Sequence, residues 1–264
     1  VGSSVLFYVE VSEIGEEFLI WRRYPSVPLA SRDHQLVRWQ MDGNSIALEV
    51  LETFKRSNAP LEGGKRVIAR FDILRTHGSK KVIDVSSLFR SSELSQWELA
   101  DLDADSASKQ LEYVASYRDN TVVVLGKTSE VTTGQIAWNF VKLPRSRMPV
   151  RFHDRRFGFD YPARRFYSST TRESGEPVTR WRLERPAGDE RVSSPIVVKV
   201  DPRTPKAWRQ SVLEGISSWD KVFRRAGFKN AIVGVDPGDG KDFSFDDLRN
   251  SVICWKTPAP MPRN

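Results

Sequence analysis

Three histidines and one cysteine are the residues that could bind zinc through nitrogen or sulfur in this 264-residue sequence. His34, His77 and His153 lie far apart, and no two have the i, i+4 spacing with which one helix presents two imidazoles to a metal. Cys254 alone excludes an internal disulfide and a cysteine-based zinc site, and its apolar neighbours predict a small buried residue. Neither His-Glu-x-x-His nor Gly-x-Ser-x-Gly occurs. The sequence therefore predicts neither a zinc hydrolase site nor a serine hydrolase site of its own.

A segment rich in arginine and aromatic residues carries most of the excess positive charge. The sequence has 41 Lys+Arg against 34 Asp+Glu, a net charge of +7. Residues 143–191 hold 12 Arg, no Lys and 7 Asp+Glu, a local net charge of +5. Guanidinium groups pair with carboxylates and stack on rings, so structural ion pairs are the favoured interpretation. An anionic ligand and nucleic acid stay open as alternatives. The candidate binding residues in this segment are Arg151, Asp154, Arg155 and Arg156.

A second polar segment, near the C-terminus, is rich in glycine and aspartate. Residues 236–243 lack the spacing of a phosphate-binding P-loop, so a surface turn is the favoured interpretation. Carboxylates are suitable Ca²⁺ ligands, but the aspartates here do not follow the EF-hand register. The aspartates concerned are Asp236, Asp239, Asp242, Asp246 and Asp247.

The elements that must position these residues change in character along the chain. Short alternating segments fill the first 140 residues, and Asp42-Gly43 between apolar runs predicts a hairpin. This pattern indicates a β-rich antiparallel domain, either a sandwich or a curled meander. A further strand is predicted over residues 178–183. No apolar run is long enough to span a bilayer.

After residue 194 the pattern becomes strand, helix, strand, strand. Thr204 is the predicted N-cap with Pro205 at the first helical position, and Gly227 ends the helix. Apolar residues spaced by three and four predict one helix stripe that belongs to the core; they are Trp208, Val212, Ile216, Trp219 and Phe223. Strands are predicted at 195–200, 231–235 and 251–256. One helix covers one sheet face only, so a half-domain without its remaining helices is expected to expose the Trp208–Phe223 stripe.

Residues 195–232 and 247–255 resemble the opening of the catalytic domain in large zinc-dependent metalloproteases, metzincin-like enzymes with a β-rich N-terminal domain. The similarity extends back through Trp181-Arg-Leu-Glu184 and residues 143–158, and more weakly to residues 82–89. The resemblance implies an α+β chain. Its parts would be a β-rich domain (1–143), an Arg/aromatic-rich connector (144–191) and an incomplete metzincin-like catalytic domain (192–264).

The resemblance also carries functional expectations. It implies peptide-bond hydrolysis by a zinc-activated water in the complete enzyme, with no zinc bound by this chain, which would be inactive alone. The expected partners are the rest of the catalytic domain or another chain, and a protein or peptide substrate. An extracytoplasmic or secreted location is expected, and nucleic acid is not an expected partner. The alternative is a non-catalytic module that binds a protein or anionic partner through residues 145–191.

Overall fold

The protein divides into two compact units, Val1–Val178 and Thr179–Asn264. The computed structural model describes residues 4–23, 34–51, 65–89, 108–128, 133–146, 148–154, 156, 158, 166–167, 174–175, 178–241 and 243–256. Each unit has its own sheet, and the two sheets differ in strand direction.

The first unit is built on one nine-stranded antiparallel sheet. Its strands are β1 (Leu6–Glu10), β2 (Glu17–Arg23), β3 (His34–Asp42), β4 (Ser45–Leu51), β5 (Lys65–His77), β6 (Lys80–Asp84), β7 (Ser108–Ser116), β8 (Asn120–Thr128) and β9 (Thr133–Lys142). Two short 3₁₀ turns, Val11–Glu13 and Ser86–Phe89, follow β1 and β6. A separate pair, β10 (Phe166–Tyr167) and β11 (Ser174–Gly175), lies later in the chain.

The sheet curls so that its first strand meets a strand six positions away. The spatial order is β1-β6-β5-β4-β3-β2-β9-β8-β7. Phe7 on β1 nevertheless packs edge-to-face against Phe140 on β9, with ring centroids 4.8 Å apart. A flat sheet would separate these strands widely, because neighbouring strands lie about 4.8 Å apart. The predicted curled meander is therefore confirmed, and the sandwich alternative is wrong.

The inner face of the curled sheet forms the core of this unit. Alternate residues along the strands are fully buried, as the period-2 pattern requires; examples are Ile20, Val37, Leu48 and Ile83. The predicted hairpin at Asp42-Gly43 is confirmed, with Ser45 opposite Asp42 and Gly43 at φ +61°. Positive φ is the conformation that such a turn needs and that glycine supplies without strain.

The second unit is a three-stranded parallel sheet with a helical segment. Its elements are β12 (Ile196–Val200), α1 (Lys206–Ser218), α2 (Asp220–Arg225), β13 (Ile232–Val235) and β14 (Ser251–Ile253). The strand order is β13-β12-β14, so β12 is central. Gly227 ends the helical segment at φ +84°. The predicted α+β class, a β-rich antiparallel domain followed by strand, helix, strand and strand, is confirmed.

Three local predictions are wrong. Residues 178–183 form no strand; Val178 is buried, but Trp181 and its neighbours on both sides are exposed. The N-cap is Pro205 rather than Thr204, and no side chain caps the helix, because Thr204 is buried within the preceding turn. Cys254 is exposed, since it follows the end of β14 instead of lying within it.

Candidate functional site

The candidate binding residues of the Arg-rich segment contain one closed ion pair. The guanidinium of Arg156 donates from Nε to Oδ1 of Asp154 at 3.0 Å and from Nη2 to Oδ2 at 2.6 Å. The backbone N–H of Arg156 also donates to Oδ1. These hydrogen bonds from Arg156 hold the pKa of Asp154 below its ordinary value. The backbone carbonyl of Arg151 accepts from the N–H of Val178, and Arg155 lies outside the described residues.

The same Asp-x-Arg turn recurs twice in the second unit. Arg203 donates three hydrogen bonds to Asp201 through its backbone N–H, Nε and Nη2, and Arg249 does the same to Asp247. The i, i+2 spacing is visible in the sequence at all three places. Of these six residues, the sequence predicts a binding role for Asp154, Arg156 and Asp247 only. The arrangement orders a turn and neutralises a carboxylate locally.

Asp201 is the most buried of these carboxylates and lies at the carboxyl end of β12. Its side chain is 0% exposed. Oδ2 also accepts from the backbone N–H of Trp255, at 2.9 Å, which lies beyond the end of β14. Burial acts to raise the pKa of Asp201, but the hydrogen bonds from Arg203 and Trp255 outweigh it, so the pKa is lowered. Asp201 is therefore ionised, and its carboxylate connects the end of β12 to the residues that follow β14.

The Gly/Asp-rich segment is held by Arg209, from the first turn of α1. Arg209 donates to the carboxylate of Asp236 and to the backbone carbonyls of Pro202, Thr204 and Gly238. The N–H of Gly238 donates to Asp236, so it is already used within the turn. The surface-turn interpretation of residues 236–243 is supported by these contacts; Asp242 lies outside the described residues.

The donor set of the described residues does not fit a zinc site. No three His, Cys, Asp or Glu side chains within that part of the chain converge as metal ligands would. The carboxylates of Asp201 and Asp247 are paired with arginines, and His77 is exposed at the end of β5. A zinc site needs about three protein ligands, so these residues supply no zinc chemistry.

One face of the parallel sheet in the second unit carries three exposed valines beside Lys199. A Cβ on Gly234 would lie 3.1 Å from Leu213, so Gly234 faces α1. Residues in register on parallel strands point to the same side, which places Val197, Val233 and Val235 on the opposite side. All three are exposed. We call these three residues the open valine face.

The helical segment carries a second exposed apolar surface. Ile216 is its only buried residue among those described, whereas Trp208 and Trp219 are each 57% exposed and Val222 is exposed. The prediction that the whole stripe is core is therefore wrong for the two tryptophans. The expectation that a half-domain exposes the Trp208–Phe223 stripe is confirmed for Trp208 and Trp219 and wrong for Ile216. We call Trp208, Trp219 and Val222 the tryptophan ridge. None of the helices in the described part of the chain is both long and apolar enough to span a membrane.

Comparison with known proteins identifies one family. The family model described as a domain of unknown function (DUF5117) matches residues 31–186, which is more than half of the chain. This range begins before β3 and ends after β11, so it lies mostly in the first unit. No curated protein and no solved structure matches the chain.

Proposed function

The chain belongs to the DUF5117 family, and we propose that it is the N-terminal part of a zinc-dependent metalloprotease that hydrolyses peptide bonds. The family description leaves the activity open, so the proposal depends on the resemblance of residues 143–255 and on the second unit. The observation that supports it best is the strand–helix–strand–strand unit, in which all three residues of the open valine face are exposed.

Several apolar side chains of the second unit are exposed to water. Burial of apolar surface contributes roughly 25 cal/mol per Å². A sheet with valines on one face and tryptophans along its helix forgoes that contribution unless a further layer covers them. Large exposed apolar patches are typical of surfaces that contact another protein or another part of the same protein. In the proposal, the remainder of the catalytic domain supplies that layer.

The zinc of the proposed enzyme would be bound by residues other than the described ones, because the described donor set does not fit it. The contribution of this chain is structural. Asp201, Arg209 and Gly234 hold strands and helix in a fixed arrangement. We propose an extracytoplasmic or secreted location and a protein or peptide substrate on the same resemblance.

The test is the complete protein. The complete coding sequence is determined, the product purified, its zinc measured by mass spectrometry and its hydrolysis of a labelled casein recorded with and without a chelator. We expect a His-Glu-x-x-His sequence, about one zinc per chain and activity lost on chelation. A product without that motif, or one that binds no zinc, would overturn the proposal.

A second candidate is a non-catalytic module that binds a protein or anionic partner through residues 145–191. The observation favouring it is the local net charge of +5. Several of these arginines, however, have partners within the chain: Arg182 pairs with Glu184, and Arg185 donates to the carbonyl of Gly227 and stacks on Phe228. Internal pairing reduces the charge available to a partner, so we rank this function second.

A further inference from the structure

A cavity of about 240 Å³ opens at one end of the curled sheet in the first unit. It lies where β1, the start of β2, the turn between β7 and β8, and the end of β9 come together. Six of its lining residues are aromatic: Phe7, Tyr8, Phe18, Trp39, Tyr117 and Phe140. Three of these rings adjoin one another, since the ring centroid of Phe18 lies 5.3 Å from that of Trp39 and 6.4 Å from that of Phe140.

The charged residues of the lining are predominantly acidic. Four carboxylates, from Glu13, Glu16, Glu17 and Asp119, face two cations, Arg118 and Lys142. The net charge of the lining is therefore negative, whereas the net charge of the whole chain is +7. A negative potential inside an aromatic cavity favours a cationic ligand over an anionic one.

One ammonium group of the chain belongs to a half-exposed ion pair among the lining residues. Lys142 Nζ lies 2.6 Å from Glu13 Oε1. The hydrogen bond and the charge of Glu13, together with the charge of Glu16, raise the pKa of Lys142 above its ordinary value. The carboxylates at this end of the sheet therefore stabilise positive charge at the cavity.

We propose that this cavity binds a guanidinium or ammonium group, presented either as a basic side chain of a peptide or as a free amine. The faces of aromatic rings attract cations, and the carboxylates add charge-assisted hydrogen bonds. The volume is below the roughly 300–1,000 Å³ typical of sites for drug-sized ligands, so it suits one side chain. The proposal is independent of the protease proposal, because it uses residues of the first unit only.

The binding test is calorimetric titration of the full chain with four ligands. They are acetyl-Gly-Arg-Gly-amide, agmatine as a free amine, acetyl-Gly-citrulline-Gly-amide as a neutral isostere, and acetyl-Gly-Glu-Gly-amide. We expect the two guanidinium ligands to bind about tenfold or more tightly than the citrulline peptide. Their affinity should fall as salt rises from about 0.05 M to about 0.5 M. The ratio of the two affinities, for the arginine peptide and for agmatine, shows whether the cavity prefers a peptide side chain or a free amine. Tighter binding of either one supports recognition of a guanidinium group.

Two variants test the residues. Phe18→Leu keeps the apolar volume but removes a ring, and Glu16→Gln removes one charge from an exposed position that tolerates it. Each should weaken the arginine peptide about threefold to tenfold. The matched control is Glu214→Gln, an exposed glutamate on α1 outside the cavity lining, which should leave affinity unchanged. Circular dichroism checks that each variant is folded. The proposal would be overturned if the citrulline peptide bound as tightly as the arginine peptide, or if the glutamate peptide bound more tightly than it. It would also be overturned if neither guanidinium ligand bound measurably, or if Glu16→Gln bound the arginine peptide with unchanged affinity.

Discussion

Asp201 and Arg203 form a two-pronged ion pair in which the carboxylate is fully buried while most of the arginine side chain remains exposed. Nε donates to Oδ1 at 3.0 Å and Nη2 donates to Oδ2 at 2.7 Å. Arg203 also stacks on the ring of Phe245, 4.7 Å from its centroid. With the hydrogen bond from Trp255, this pair connects the end of β12 to the residues after β14. The pair is therefore expected to stabilise the parallel sheet.

Asp201→Asn is expected to destabilise the second unit. The amide NH₂ would face donors from Arg203 and Trp255, which leaves buried hydrogen bonds unmade at a cost of about 1–3 kcal/mol. Urea unfolding measures the loss, and hydrogen exchange with mass spectrometry locates it in residues 196–200 and 251–255. Unchanged exchange in both segments would contradict the structural role assigned to Asp201.

Asp154→Asn is the matched control for this substitution. It removes a carboxylate from the same Asp-x-Arg turn, but Asp154 and Arg156 are 40% and 81% exposed. Water replaces the lost contacts at an exposed site, so the change in stability should be much smaller. Equal effects of the two substitutions would show that burial is not what distinguishes them.

The pH dependence of stability should reflect Asp201 and Asp247. The pKa of Asp247 is lowered mainly by the hydrogen bonds from Arg249. Burial acts to raise the pKa of Asp201, but the hydrogen bonds from Arg203 and Trp255 lower it overall. Groups with lowered pKa values in the folded state stabilise it above their unfolded pKa, about 4. This contribution is lost as the pH falls below that value. Urea unfolding between about pH 6 and about pH 3 should show a smaller loss in the Asp201→Asn/Asp247→Asn variant than in the parent; equal losses would contradict the assignment.

Much of the fold could be predicted because it depends on local patterns. Alternating residues such as Val37 and Leu48, and the turn glycine Gly43, specify strands and hairpins through neighbouring positions. The order of the strands depends on long-range pairing, as between Leu19 and Val141, which no local pattern contains. This is why a sandwich and a curled meander could not be distinguished from the sequence.

The candidate sites were harder to predict for the same reason. Asp154 and Arg156 are two residues apart, so their pairing follows from sequence spacing. The aromatic cavity instead brings Phe7 and Phe140 together from opposite ends of the first unit. The sequence places Trp208 and Trp219 in the core, but both are exposed. A helical pattern of apolar residues shows that they share one face of the helix, but it does not show which part of that face contacts the sheet.

Phe140→Ala is expected to unfold the first unit more easily. Phe140 is buried and packs against the rings of Phe7, Phe18 and Phe89. Truncation of a buried phenylalanine costs about 3–5 kcal/mol, because packing is lost and a cavity remains. Phe140→Leu, which keeps most of the volume, should cost about 1.5 kcal/mol or less. Urea unfolding of both variants measures the difference, and equal costs would mean that the ring does not pack as described.

Lys142→Met is expected to strengthen binding of the arginine peptide. The substitution removes the ammonium that pairs with Glu13 and leaves that carboxylate for a ligand. Affinity should rise about threefold to tenfold at low salt, and the gain should shrink at high salt. Calorimetry provides the measurement, with Lys241→Met as a control, since Lys241 pairs with Asp239 in an exposed turn away from the cavity lining. Weaker binding by Lys142→Met would show that Lys142 itself contacts the ligand.

Gly240→Ala should destabilise the second unit more than Gly238→Ala does. Both glycines have positive φ, +73° and +67°, so each alanine carries the strain of that conformation, about 1 kcal/mol. At Gly240 a Cβ would also lie 2.7 Å and 2.9 Å from carbons of Pro202, whereas nothing lies within 4 Å at Gly238. The proline ring cannot rotate away, so backbone must shift, at an additional cost of about 1–3 kcal/mol. Urea unfolding of the two variants separates the conformational cost from the steric one. Equal destabilisation would place the 236–240 turn farther from Pro202 than the structure does.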